Sequence, residues 1–148
     1  MQKSKIAKLI EILFKIILIG GIICLPFIPK LYNLIFDSIE FLKQPLYYKI
    51  MFYLCYIICL AIIYTLNYMF KNIYTSSPFT KNIEISLKVI AVLFTSLSIV
   101  VLIKTIFMPT ILSIAFIIVA FVTSLCFYTL SQIFKTAIEY KNEIDYTV

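Results

Sequence analysis

The sequence predicts an all-α integral membrane protein: four transmembrane helices with an additional amphipathic helix in the outer interface. Three observations carry this. Of the 148 residues, 63% are hydrophobic and 14% charged, with a mean hydropathy of +1.06. A soluble domain has about 25% charged residues, so this chain cannot cover a water-facing surface. The apolar residues fall in four long runs bracketed by lysines. Those lysines are spread unequally over the two sets of connections. Disorder is excluded by the apolar content. With Gly 2 and Cys 4 in the whole chain, collagen-like and disulfide-scaffold classes are excluded as well.

A membrane helix needs about 20 mostly apolar residues to cross a core of about 30 Å. The first span is expected over residues 9–29. Ile16–Ile28 is too short alone, so the helix begins near Leu9 and carries Lys15 within it, with Glu11 one turn earlier in the favourable i,i+4 order. A cleaved leader is the competing reading of lysines followed by an apolar stretch. It is set aside because Pro26 and Pro29 close the run where a small-residue cleavage site would stand.

The second span, 50–70, is free of charge between Lys49 and Lys71 and measures roughly 31 Å at about 1.5 Å per residue. The third, 85–103, reaches full length only if Lys88 snorkels to the headgroups. The fourth is expected over 110–134, with Pro109 in its first turn. A charged tail, 135–148, follows.

The connections carry their own patterns. Over residues 31–43, Leu31, Leu34, Ile35, Phe41 and Leu42 recur with helical spacing. Asn33, Asp37, Glu40 and Gln44 make a second stripe. That is the pattern of a helix lying in the interface. Between spans two and three, Ser77 and Pro78 predict an N-cap and first turn. Tyr47, Tyr48, Tyr53, Tyr68 and Tyr74 cluster around both ends of span two, as an interfacial aromatic belt does.

Orientation follows from lysine. Cytoplasmic loops hold the excess of Lys and Arg. Lys3, Lys5, Lys8, Lys71, Lys81, Lys88, Lys135 and Lys141 fall on one side, and Lys30, Lys43, Lys49 and Lys104 on the other. Both termini are therefore expected in the cytoplasm.

The net charge is +6, all 13 basic residues are Lys, and His is absent. The lysines are scattered between apolar runs, whereas DNA readers gather basic residues on one face. No direct nucleic-acid binding is expected, and the lipid bilayer is the partner the charges address. Without His, the commonest general base and metal ligand is missing. No enzyme, metal site or cofactor is expected. Cys55 and Cys59, with Cys24 and Cys126 in other spans, lack zinc or redox spacing. They read as small buried hydrophobes.

Two groups of residues are candidates for function. One is intramembrane: Lys15, Asn67, Ser124, Tyr128 and Gln132. Ser124, Tyr128 and Gln132 stand at i, i+4 and i+8 and read as one stripe. The bland reading is hydrogen bonding between helices, with Lys15 snorkelling. The functional reading is a small polar cavity or relay. The other group is a docking surface on the cytoplasmic face: Pro78, Phe79 and Asn82 before span three, with Lys141, Glu143 and Asp145 in the tail. Its bland reading is a solvated helix end.

The segment Ser77-Pro78-Phe79-Thr80 with Asn82, and the tail Lys141-Asn142-Glu143-Ile144-Asp145-Tyr146-Thr147-Val148, give the chain a recognisable outline. It resembles the DUF2975 family of small bacterial four-span membrane proteins, with a P-F loop before the third span and a C-terminal motif like K-E-E-N-D-L-T-V. Lys141, Glu143, Asp145, Thr147 and Val148 match that motif; Asn142, Ile144 and Tyr146 depart from it. The resemblance implies a bacterial plasma-membrane protein and a small helix-turn-helix regulator as partner. Composition and resemblance together lead to the expectation of a non-enzymatic regulatory or sensing module. The alternative is a small transporter, or a protein giving immunity to a membrane-active peptide. Oligomeric state is not legible.

Overall fold

The structure is a computed structural model that describes residues 5–30, 34, 46–75, 80–107 and 109–147. Every described element is helical: α1 (Lys5–Cys24), a 3₁₀ turn (Leu25–Phe27), α2 (Leu46–Thr75), α3 (Lys81–Phe107) and α4 (Ile111–Thr147). All four α-helices are long and apolar enough to cross a membrane. The interfacial helix expected over 31–43 lies outside the described residues, apart from Leu34.

The helices outrun the charge-bracketed spans. Lys49, Lys71, Lys88 and Lys104 end apolar runs but not helices, because lysine is a good helix former. α2 has 30 residues and α3 has 27, about 45 and 40 Å. These lengths match the roughly 40–45 Å of a bilayer with its headgroups. α4 has 37 residues, about 55 Å, and takes the expected tail into the same helix.

Two helix starts differ from expectation. α3 begins at Lys81, where the Ile83 amide donates to the Thr80 carbonyl at 3.0 Å; Ser77 and Pro78 lie outside the described residues. Pro109 stands before α4, not within its first turn. Thr110 is the cap residue. Thr110 Oγ1 accepts from the Ser113 amide at 3.3 Å, and Ser113 Oγ accepts from the Thr110 amide at 3.3 Å. This reciprocal pair is a capping box with serine in the usual place of glutamate.

The principal contacts run in chain order: α1 on α2, α2 on α3, α3 on α4. Sequential helices are antiparallel. One end of the row, the near end, therefore holds the start of α1 and α3 and the finish of α2 and α4. There Met69, Ile83, Leu87 and Ile90 form a buried cluster, closed by Leu66, Ile73, Phe127 and Phe134. At the far end the Tyr47 and Phe107 rings meet edge to face, 5.3 Å between centroids.

The α1–α2 seam is narrow. Most of α1 is exposed; the half-buried positions are Ile10 and then Glu11, Phe14, Leu18, Gly21 and Leu25 in series, with Ile28 buried beyond them. Their alternating steps of three and four keep one face toward a neighbour. Tyr56 Oη donates to the Gly21 carbonyl at 2.8 Å, and Phe14 stacks on Phe70 at 5.5 Å. A Cβ at Gly21 would lie 2.5 Å from Leu60 Cδ2, whereas one at Gly20 would meet nothing within 4 Å. Gly21 permits the close approach and Gly20 does not take part in it. Gly20→Ala is therefore expected to stabilise the detergent-solubilised protein by up to about 1 kcal/mol. Gly21→Val is expected to destabilise it by about 1–3 kcal/mol. Thermal melts of the two variants check the contrast, and equal shifts would contradict this packing.

Candidate functional site

Among the described residues, α3 and α4 share the most extensive seam. On α3, Glu84, Ala91 and Ser98 are buried and stand seven residues apart. On α4, Ser131, Ser124 and Ile117 face them at the same spacing. Ser131 Oγ donates to the Glu84 carbonyl at 3.3 Å, Ser124 Oγ to the Ala91 carbonyl at 2.8 Å, and Ser98 Oγ to the Ile117 carbonyl at 3.4 Å. Three rungs thus bridge the pair, each two turns from the next, in one antiparallel register. A seven-residue repeat keeps the same face inward when helices wind about each other. Serine and alanine at the rungs let the backbones approach. Thr95 Oγ1 lies 2.6 Å from Ser124 Oγ and 3.0 Å from the same Ala91 carbonyl, so the carbonyl and the two hydroxyls form one hydrogen-bonded cluster. Phe94 and Phe127 stack beside the rungs, 5.9 Å apart and 8° from parallel.

Glu84 is the residue that the sequence reading missed. Span three was expected to begin at Ile85, with Glu84 in the helical extension before it and given no role. In the structure it lies inside α3 and is only 8% exposed. Its carboxylate accepts from Lys88 Nζ at 2.8 Å. Glu11 and Lys15 repeat this arrangement on α1, also at 2.8 Å. In both pairs the acid lies inward and the lysine outward: the side chains are 19% and 55% exposed on α1, 11% and 42% on α3. Helical side chains lean toward the helix N-terminus. In α1 and α3 that direction is the near end. A lysine one turn deeper than its glutamate therefore reaches back toward the headgroups and meets the carboxylate on the way.

The five intramembrane candidates do not converge. Lys15 is on the outer face of α1, bound to Glu11. Asn67 is half-buried on α2, its Oδ1 buried without a hydrogen-bond partner. Ser124 is in the α3–α4 seam, Tyr128 is 53% exposed, and Gln132 is half-buried. The expected single stripe breaks up because steps of four overshoot a full turn by about 40° each. The inward serine beyond Ser124 is Ser131, at a step of seven. The signal that would have found the site is this repeat: Ser124 and Ser131 on one helix, Glu84, Ala91 and Ser98 on the other.

Of the docking candidates, Pro78 and Phe79 lie outside the described residues. Asn82 is exposed in the first turn of α3. Lys141, Glu143 and Asp145 are exposed on the last turns of α4. The rungs put Phe134 level with Lys81, so residues 135–147 project past the rest of the described near end by about 20 Å. Lys135, Glu139, Asn142 and Tyr146 occupy one side of this arm. Ala137, Tyr140 and Ile144 occupy the other.

Among the described residues, no three or more of Cys, Asp and Glu gather in a way that could hold a metal ion. The four cysteines are free thiols, and Cys24, Cys59 and Cys126 are exposed and Cys55 half-buried, where burial was expected. Fold and seam together define a multi-pass α-helical membrane protein. No protein-family model, no curated protein and no solved structure matches the chain.

Two substitutions report on the seam. Ser124→Ala should lower stability by about 0.6–2 kcal/mol, the range for a hydrogen bond between membrane helices. Lys88→Leu should destabilise the protein by leaving the Glu84 carboxylate unpaired, and adding Glu84→Gln should recover much of the loss. Melting curves of the single and double variants measure the coupling; additive effects would contradict the pair.

Proposed function

We propose that this chain is a regulatory or sensing module of a bacterial plasma membrane, non-enzymatic, with both termini in the cytoplasm, where it engages a soluble partner. The observation that carries this reading is the arm. α4 does not end where a bilayer would release it but runs on as one helix, exposed at every residue over 139–147. A helix needed only to cross the membrane has no use for this length. The arm offers a soluble protein a rigid surface bearing Lys135, Glu139, Asn142 and Tyr146, with Asn82 of α3 at its base.

The excess of lysine at this end supports a cytoplasmic location. The likeness of the tail to the DUF2975 motif supports a helix-turn-helix regulator as the partner. The alternative, a transporter or an immunity protein, rested on Lys15 and a polar stripe. It gains nothing from residues that do not converge.

A photo-reactive residue in place of Glu139 or Tyr146 should give an adduct with a cytoplasmic protein in living cells. The same residue in place of Phe116, within the bilayer, should not. Glu139→Lys combined with Asp145→Lys should weaken the Tyr146 adduct. A tail that yields no adduct distinct from that of Phe116 would overturn the reading.

A further inference from the structure

α4 carries a second seam on its exposed side. Leu112, Phe116, Val119, Thr123, Cys126, Leu130, Ile133, Ala137, Tyr140 and Ile144 follow each other at alternating steps of four and three. None of them is buried; Val119, Ile133, Tyr140 and Ile144 are 63%, 59%, 63% and 64% exposed. This is the spacing by which one helix winds on another, and α4 uses the same spacing for its inner seam with α3.

The outer seam passes through two solvents. From Leu112 to Leu130 hydrocarbon can cover it. From Ala137 to Ile144 it stands in the projecting arm, where Tyr140 and Ile144 face water. Lipid can cover only the first part and a soluble protein only the second. A helix that follows the seam through both must itself leave the membrane at the same level and in the same direction, and α4 of another copy does so.

We propose that the outer seam of α4 pairs with the same seam of a second copy, in parallel about a twofold axis. The charges fit such a pair. Lys141 flanks the apolar stripe on one side and Glu143 on the other. In a parallel twofold pair opposite flanks meet, so the lysine flank of one copy faces the glutamate flank of its mate. An antiparallel pair would bring like flanks together. A contact about 48 Å long and about 12 Å wide covers about 600 Å² per copy, at the lower bound of a stable interface. The face bearing Lys135, Glu139, Asn142 and Tyr146 points away from the axis and stays open. The pairing thus goes beyond the partner reading above and does not compete with it.

Cys126 lies on this seam and provides the test. In membranes holding the full chain with Cys24→Ala, Cys55→Ala and Cys59→Ala, mild oxidation should join Cys126 to its counterpart, giving a reducible band at double the 17.2 kDa of one chain. With Cys126→Ala added, a single cysteine moved to Val119 or Ile133 should also cross-link, and one moved to Ile118 or Leu125 should not. Tyr140→Lys with Ile144→Lys, far from Cys126 along the helix, should lower the Cys126 yield about tenfold, equivalent to about 1.4 kcal/mol. No dimer through Cys126, equal yields at Leu125 and Cys126, or a yield indifferent to the arm variant would each overturn the pairing.

Discussion

In hydrocarbon, two apolar helices gain little by turning leucine toward leucine, because lipid tails are just as apolar. What holds such helices together is close packing and the few hydrogen bonds that cross between them. The rest of this structure depends on that constraint at the α3–α4 seam. Ser131, Ser124 and Ser98 each spend a hydroxyl on a carbonyl of the facing helix. Because a carbonyl already bonded within its helix has a second lone pair, the rungs form without breaking either helix. Their common spacing fixes depth and rotation together. α2 then packs on α3 at the near end, through Met69 against Ile83, Leu87 and Ile90, and α1 adds itself through the thin contact at Gly21. The order of burial follows: α3 is the most enclosed helix, α4 next, and α1 and α2 the least.

The two Glu–Lys pairs express the same solvent from its edge. A lone lysine or a lone carboxylate at this depth would carry an unpaired charge toward hydrocarbon. Paired one turn apart on a helix whose N-terminus is at the near surface, the two neutralise each other. The outward member spends its long stem on lipid. Glu84 does more than pair with Lys88, since its own carbonyl receives the Ser131 hydroxyl. The charge pair and the last rung of the seam thus sit on one residue, at the level where α4 leaves the bundle and becomes the arm.

Much of this is legible in the amino-acid sequence, for physical reasons that differ by feature. Charge-free runs reveal helices that must cross hydrocarbon, so all four appear. Their ends do not, because Lys71, Lys104 and Lys135 are as comfortable in a helix at the headgroups as beyond it. The pairing of Glu11 with Lys15 is readable from an i,i+4 spacing. That of Glu84 with Lys88 has the same spacing but is hidden, since a reading that starts the span at Ile85 never asks what Glu84 faces. Ser124 lies in the seam, and its companion there is Ser131 and not Gln132. A stripe drawn in steps of four drifts around the helix, whereas packing follows steps of three and four in alternation. Which helix lies opposite is not written in either stripe alone; it emerges when two stripes of equal repeat run in opposite directions.

The register of α3 against α4 is the central claim, and it reduces to one pair of positions. In a chain with its four native cysteines replaced by alanine, cysteines introduced as Ala91→Cys and Ser124→Cys should form a disulfide in the membrane on mild oxidation. Ala91→Cys paired with Ser131→Cys, two turns out of register, should stay reduced. Efficient bonding in the second chain and none in the first would contradict the seam, and with it the level at which α4 emerges as an arm.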